Sequence, residues 1–426
     1  MTFSYTDEQV KWLIANVPDN VGANGVIMWE DIVPYFNDEF EENKSAEALR
    51  KTYQRYKDLD FSEDSMLYAG KAVRSARTRS SIVAKENRTI LDNMNMIDDI
   101  EDRLKAVVSS IKFRLYKPPT TAVKKRRIKR AIVAHYSDAH LGDNIDIKEI
   151  IINEYNSKIA ARRTAEYIKQ VSDYKSSKRK DTKLVLLLNG DLLQGVIHNQ
   201  EGNLDLMTLQ FEEIISIIGQ AISYASHKFP EIEVLCNTGN HERMMHKMNK
   251  SRQTAQKWDS FASMAYIALK QVFKNYSNVT FIIKKTPYID HMVLGKRIFV
   301  THGDTTFNIG AVSKSVNITA IENQINKINN SDLTRDKKFD AFFIAHVHFP
   351  MVLLSQTGCH IFINGCVSGI GAFAQSIGIF NNQVVQQFIE FTEDHIGDMR
   401  FVDLRQADNN EKLDKIIKPE ELIFED

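Results

Sequence analysis

The sequence predicts a mixed α/β domain from about residue 128 onward, entered through a helical extension. Two observations carry this. After residue 128 short apolar runs alternate with helical segments, the pattern of strands packed between helices. Before it, apolar residues recur at helical steps of three and four instead of alternating. With 43% apolar and 26% charged residues the chain is ordinary for a globular protein, so wholesale disorder is excluded. Its 426 residues suit two or three folded units. The expected division is a small helical, helix-turn-helix-like domain at 1–60, a basic helical arm and Pro-containing linker at 61–127, the α/β domain at 128–400, and a polar tail at 401–426.

The first region reads as three helices. Thr6 with Gln9 three residues later forms a capping-box signature, and Val10, Leu13 and Ile14 follow on one face. Pro18-Asp19-Asn20 breaks that helix; a second runs through Glu30 to Phe36. A third starts at Ser45, an N-cap residue, and carries Leu49, Tyr53 and Tyr56 together. The spacing of Trp12, Trp29, Phe36, Leu49 and Tyr53 resembles a Myb/SANT-like helix-turn-helix module. A protein-binding helical bundle fits the same spacing.

Net charge is zero, with 55 basic and 55 acidic residues, which on its face argues against nucleic acid. Resolved by region, the picture changes. Residues 1–60 carry six basic and twelve acidic side chains, whereas 61–137 carry seventeen and eight. Lys71, Arg74, Arg77 and Arg79 lie upstream of an amphipathic helix expected over 87–111, with Ile90, Met94, Ile97, Leu104, Val108 and Ile111 on one face. Lys124 to Arg130 lies downstream, past the linker Pro118-Pro119-Thr120-Thr121. Nucleic acid is therefore the expected partner of residues 45–130, and the 87–111 helix offers a homodimer interface.

Cys236, Cys359 and Cys366 are odd in number and lack CxxC spacing, so neither a disulfide framework nor a cysteine zinc site is indicated. The N-terminus has no basic region leading into an apolar one, and no run approaches the roughly 18 apolar residues of a membrane span. A cytoplasmic location without membrane contact is expected.

In the α/β region strands are predicted at Ile132–Ala134, Leu184–Leu188, Ile232–Leu235, Val279–Ile283, Ile298–Val300, Phe342–Ile344, Ile361–Ile363 and Val384–Phe391. Five of them are followed by polar clusters: Asp138-Ala139-His140, Gly190-Asp191, Gly239-Asn240-His241-Glu242, His302-Gly303-Asp304 and His346-Val347-His348. Each abuts the C-terminal end of a strand, where open α/β sheets place their ligands. One such fragment is weak evidence. Five in order make a site.

That order, DxH, GD, GNH(D/E), a lone H and GHxH, resembles the calcineurin-like metallophosphoesterase superfamily over residues 128–370. Ala345 stands where the superfamily usually has glycine. The resemblance implies an αββα sandwich, two mixed sheets face to face with helices outside. It implies one metal ion on Asp138, His140, Asp191 and His348, and a second on Asp191, Asn240, His302 and His346, with Asp191 bridging. Asp, Asn and His without thiolate favour Mn²⁺, with Fe or Zn²⁺ as alternatives. A metal-activated hydroxide would then attack phosphorus, with His241 assisting the leaving group. Arg243, His246, Lys247 and Arg252 are the candidate substrate contacts, and Asp304 is expected to hold a loop.

Substrate class must come from departures. Protein phosphatases of the superfamily read GDxVDRG, whereas this chain reads Gly190-Asp191-Leu192-Leu193-Gln194-Gly195. Mre11/SbcD-like nucleases have histidine where Gln194 stands, with His198 nearby as a substitute; 5′-nucleotidase-like enzymes carry GDxxQG. The layout also resembles phage- or prophage-encoded metallophosphoesterases with an N-terminal DNA-binding-like segment. Together with the basic arm this points to a phosphodiesterase or nuclease acting on DNA or RNA. The alternatives are a phosphatase for a small molecule or phosphoprotein, and a non-catalytic nucleic-acid-binding protein.

Overall fold

The computed structural model describes residues 5–22, 25–57, 118–119, 127–150, 152–196, 203–244, 257–307, 316–371, 374–375, 378, 380 and 382–418. The chain divides into two units, Met1–Asp92 and Asn93–Asp426. The helix expected over 87–111 and the cluster Lys71 to Arg79 lie outside the described residues.

In the first unit, α1 (Asp7–Asn16), α2 (Trp29–Glu39) and α3 (Ala46–Tyr56) enclose Leu13, Val17, Ile32, Phe36 and Leu49. Thr6 and Gln9 close a reciprocal capping box on α1, and the Ser45 hydroxyl accepts from the Ala48 N–H at the start of α3. Trp12 meets Phe36 edge-on, with centroids 5.6 Å apart.

The second unit begins with β1 (Arg130–Tyr136), β2 (Asp143–Asn144), α4 (Ser157–Asp173), β3 (Thr182–Asn189) and β4 (Asn203–Leu204). Helix α5 (Met207–Glu213) passes through a π-helical turn at Ile214–Ile218 into α6 (Gly219–Ser226). Then come β5 (Ile232–Asn237), α7 (Phe261–Val272), β6 (Val279–Ile283), β7 (Tyr288–Val293), β8 (Lys296–Thr301) and α8 (Ile318–Asn329). The order closes with β9 (Ala341–Ile344), β10 (Met351–Leu354), β11 (His360–Ile363), β12 (Val385–Thr392) and β13 (Ile396–Asp403).

Two mixed sheets result, ordered β13-β12-β1-β3-β5-β6 and β10-β11-β9-β8-β7. The period-2 alternation of each strand decides what each face buries. Val133, Val185, Leu187 and Leu235 of the larger sheet pack with Ile298, Val300, Phe343 and Phe362 of the smaller, which makes the layer between them. Ile132, Ala134, Leu184 and Leu186 face the other way, onto Ile168 and Val171 of α4, Ile222 of α6 and Leu269 of α7. Phe342, Ile344 and Ile361 cover Ile321 and Ile325 of α8. This is the αββα sandwich. No helix among the described residues is long and apolar enough to cross a membrane.

The C-terminus corrects the sequence-based expectation. Residues 401–426 were expected as a polar tail, but β13 runs to Asp403 on the edge of the large sheet, and 404–418 pack beside α4. Leu404, Ala407, Leu413 and Ile417 are buried in the main core. Arg162 and Arg163, themselves buried, clamp the segment through Asp414 (2.8 Å) and Asp408 (2.7 Å). Charged residues at the surface of this segment hide four apolar anchors. The α/β unit therefore extends past residue 400.

Candidate metal centre

The site is built where β1, β3, β5, β8 and β9 end. Pairing continues past the strands: Asp138 N–H donates to Gly190 O (3.0 Å), His140 N–H to Asp191 O (3.0 Å), and Leu141 N–H to Leu192 O (2.8 Å). The DxH and GD loops are thus knitted together. Glycine is required beside them because a Cβ on Gly239 would lie 1.9 Å from Asp191 Oδ1, and one on Gly190 2.6 Å from Gly239 N.

The seven residues expected as metal ligands come together as two groups. Asp138, His140 and His348 place one ligand atom each within 4.8 Å of one another, and so do Asp191, His302 and His346. His140 Nε2 lies 3.1 Å from His348 Nε2, and His348 Nε2 lies 3.3 Å from Asp138 Oδ1. In the second group His302 Nε2 is 2.9 Å from Asp191 Oδ2 and 3.2 Å from Asn240 Oδ1, which brings Asn240 into the set. The Asp191 carboxylate is held from behind, accepting at Oδ1 from the N–H groups of Asn240 (2.7 Å) and His241 (2.9 Å).

Two observations test whether this arrangement fits cations. The first is the state of the imidazoles. His140 Nδ1 sits 2.6 Å from Gln194 Oε1 and His302 Nδ1 sits 2.9 Å from Asn189 O. Both partners are acceptors, so both rings carry their proton on Nδ1 and turn Nε2 toward the group, the arrangement metal-ligating histidines require. The second is the backbone. Among the described residues seven non-glycines have positive φ, and five of them are Asp138, His140, Asp191, His346 and His348, between 49° and 75°. Left-handed backbone costs an L-residue roughly 1–2 kcal/mol, so a cluster of it marks a function. The donors, their protonation and their placement fit divalent ions. Ala345 is not among these residues, so its Cβ is tolerated where glycine is usual.

Electrostatics follow from burial and pairing. Burial pushes His140 and His346 down to about 4, keeping both neutral. For His302 burial acts in the same direction, but the Asp191 carboxylate overrides it and raises the ring to about 9. Asp191 is correspondingly held well below the usual carboxylate range, burial notwithstanding, by His302. A bound cation would take over the role that proton plays.

Several further side chains support the ligands. Glu242, fully buried, accepts from the N–H groups of Leu192 (2.6 Å) and Gly239 (2.7 Å), tying the GD and GNH loops; burial pushes its carboxyl up to about 7. Lys257, also buried, donates to Gly239 O (2.9 Å) and pairs with Asp304 at 2.7 Å. Asp304 thereby holds the loop of His302 to that of Asn240. Glu213, on the helix behind the DxH loop, is buried, and burial pushes its carboxyl up to about 7.

His241 stands at the rim of the first group. Its ring meets His140 edge-on, with centroids 4.6 Å apart, and its Nδ1 donates to Gln194 O at 3.2 Å. Arg243 is placed in the following loop, bridged to Ser260. His246, Lys247, Arg252 and His198 lie outside the described residues. Part of the basic run before β1 is engaged within the chain: Arg127 pairs with Glu393 at 2.7 Å and Arg130 with Asp181 at 3.3 Å.

No curated protein matches the chain by sequence. Among solved structures, hypothetical protein PH1004 from Pyrococcus horikoshii OT3 aligns at 9% identity over 68% of this chain and 95% of its own, with a TM-score of 0.35. The 5′-nucleotidase from Candida albicans SC5314 aligns at 11% over 72% and 59%, with 0.32. The calcineurin-like phosphoesterase YfkN from Bacillus subtilis aligns at 12% over 68% and 99%, with 0.30. The family model of calcineurin-like phosphoesterases matches residues 132–372, the stretch that carries both sheets' central strands and all seven converging side chains. By that match the chain belongs to the calcineurin-like phosphoesterases.

Proposed function

We propose that the protein is a metal-dependent phosphodiesterase acting on nucleic acid. The observation that carries the reaction class is the convergence of seven donors on two groups, five of them on left-handed backbone. Asp138, His140 and His348 would hold one divalent ion, Asn240, His302 and His346 the other, with Asp191 shared. Mn²⁺ suits such a thiolate-free set, with Fe or Zn²⁺ as alternatives. Bound there, two cations supply an activated water and neutralise charge on the phosphoryl oxygens.

The chain's own residues do the rest. His241 is anchored through Nδ1 to Gln194 O, so that in its doubly protonated form the ring would give its Nε2 proton to the leaving oxygen and return to the Nδ1–H form. Glu242 fixes the loop that carries it by accepting from Leu192 and Gly239. The substrate class is supported by the basic excess of residues 61–137, seventeen basic against eight acidic side chains, on a chain whose net charge is zero. Arg127 and Arg130 count for less, being paired with Glu393 and Asp181. Residues 45–130 are the proposed contact for DNA or RNA.

The test is incubation with Mn²⁺ and end-labelled DNA and RNA beside bis-p-nitrophenyl phosphate, nucleoside monophosphates and phosphopeptides. Internal diester cleavage is expected, falling steeply with salt on long nucleic acid and little on the small diester. Turnover confined to monoesters would overturn the substrate reading. His241→Ala should lower kcat about 10²–10⁴-fold while leaving Mn²⁺ stoichiometry intact; unchanged kcat would remove His241 from the mechanism.

A further inference from the structure

We propose that Gln194 is a positioning residue that fixes the tautomer and ring plane of His140, and through them the cation affinity of the Asp138–His140–His348 group. The inference rests on the metal-dependent reading above and concerns a residue that is not itself a ligand.

The Gln194 amide oxygen lies 2.6 Å from His140 Nδ1, and Gln194 is only 4% exposed, so water does not compete for the bond. An amide oxygen only accepts, which places the His140 proton on Nδ1. The opposite tautomer would put an N–H on Nε2, the atom 3.1 Å from His348 Nε2, and close the group to a cation. His302 needs no such helper, because its Nδ1 meets the main-chain oxygen of Asn189, the last residue of β3.

Gln194 can act this way because its own backbone is immobilised. Its N–H donates to Leu141 O at 3.0 Å, and Leu141 directly follows His140. Gly195 next to it has φ +74°, and its N–H donates to Gln210 Oε1 at 2.9 Å. A Cβ at Gly195 would lie 2.0 Å from His241 O, so the loop has no slack on that side. The same residue thus serves two histidines: its side chain holds His140, and its main-chain oxygen holds His241 Nδ1 at 3.2 Å.

The experiment is Mn²⁺ titration by calorimetry of the full chain, with electron paramagnetic resonance to report paired ions. Wild type should bind two ions. Gln194→Leu should keep one site and weaken the other about 10–100-fold, with loss of the paired-ion signal. Gln194→Glu, which retains an acceptor, should hold both ions at wild-type affinity or better. Two tight sites in Gln194→Leu would overturn the proposal, as would equal losses in the Glu and Leu variants. A wild type that binds no Mn²⁺ would instead overturn the metal-dependent reading itself. Should Gln194→Leu not fold, ¹⁵N-histidine NMR of the wild-type chain decides: His140 is expected as the Nδ1–H form, and an Nε2–H form overturns the assignment.

Discussion

The two ligand groups look alike in composition, each a carboxylate with two imidazoles, yet they are supported differently. The Asp191–His302–His346 group is braced by main chain and by charge. Asn189 O holds His302, and the Lys257–Asp304 pair locks the loops of Asn240 and His302 together. The Asp138–His140–His348 group is braced by a side chain, Gln194 on His140, with buried Glu213 behind the loop that follows His140. Supports made of main chain cannot be altered by substitution; supports made of side chains can. The Asp138–His140–His348 group is therefore the more readily adjusted of the two, and the Asp191–His302–His346 group depends on substitution chiefly through the Lys257–Asp304 pair.

Asp191→Ala should break the distinction altogether, because Asp191 faces His302 and accepts from the N–H groups of Asn240 and His241. Turnover is expected to fall about 10³-fold or more, with bound Mn²⁺ below two per chain. Retention of both ions and of turnover would remove Asp191 from the shared position.

Lys257→Met tests the charged brace alone. It leaves Asp304 buried and unpaired, which costs about 3–5 kcal/mol in urea unfolding, and it should weaken the second group before the first. A loss below about 1 kcal/mol would show that the pair does not brace the site.

Glu213→Gln sharpens the other half. The Glu213 carboxyl moves from an ordinary 4.5 to about 7 on folding, so the native state binds its proton more tightly than the unfolded chain. The stability this contributes is fully present below about 4.5 and is lost as pH rises through about 7. The variant has no such proton to lose. Its stability relative to wild type should grow by up to about 3 kcal/mol between pH 5 and pH 8. A pH-independent difference would show that Glu213 is not buried as a neutral acid.

Much of this was legible in the sequence because each ligand directly follows an apolar run, and strand ends converge in an α/β sheet. Every strand predicted from an apolar run is present. Strands β7, β10 and β13 were not read because they lie at sheet edges or carry polar residues such as Asp290, His291, Asp398 and Arg400 among their apolar ones. The tail after Asp403 misled for a related reason: Leu404, Ala407, Leu413 and Ile417 are four anchors thinly spread among charges. Asp304 was readable as a residue that holds a loop, but the partner of each support was illegible in principle. Lys257 lies 47 residues from Asp304, and His140 lies 54 from Gln194, so only the fold makes them neighbours. Gln194 was visible as a departure from the protein-phosphatase and nuclease patterns, but its role appears only in three dimensions.

The left-handed backbone at Asp138, His140, Asp191, His346 and His348 has a consequence for how this chain responds to selection. Glycine at any of the five would relax the main chain by roughly 1 kcal/mol while deleting a donor. At Asp138 and Asp191 that gain is offset by the buried partners left behind, so a screen that rewards heat resistance alone would collect its variants at the histidines, and those variants would be inert.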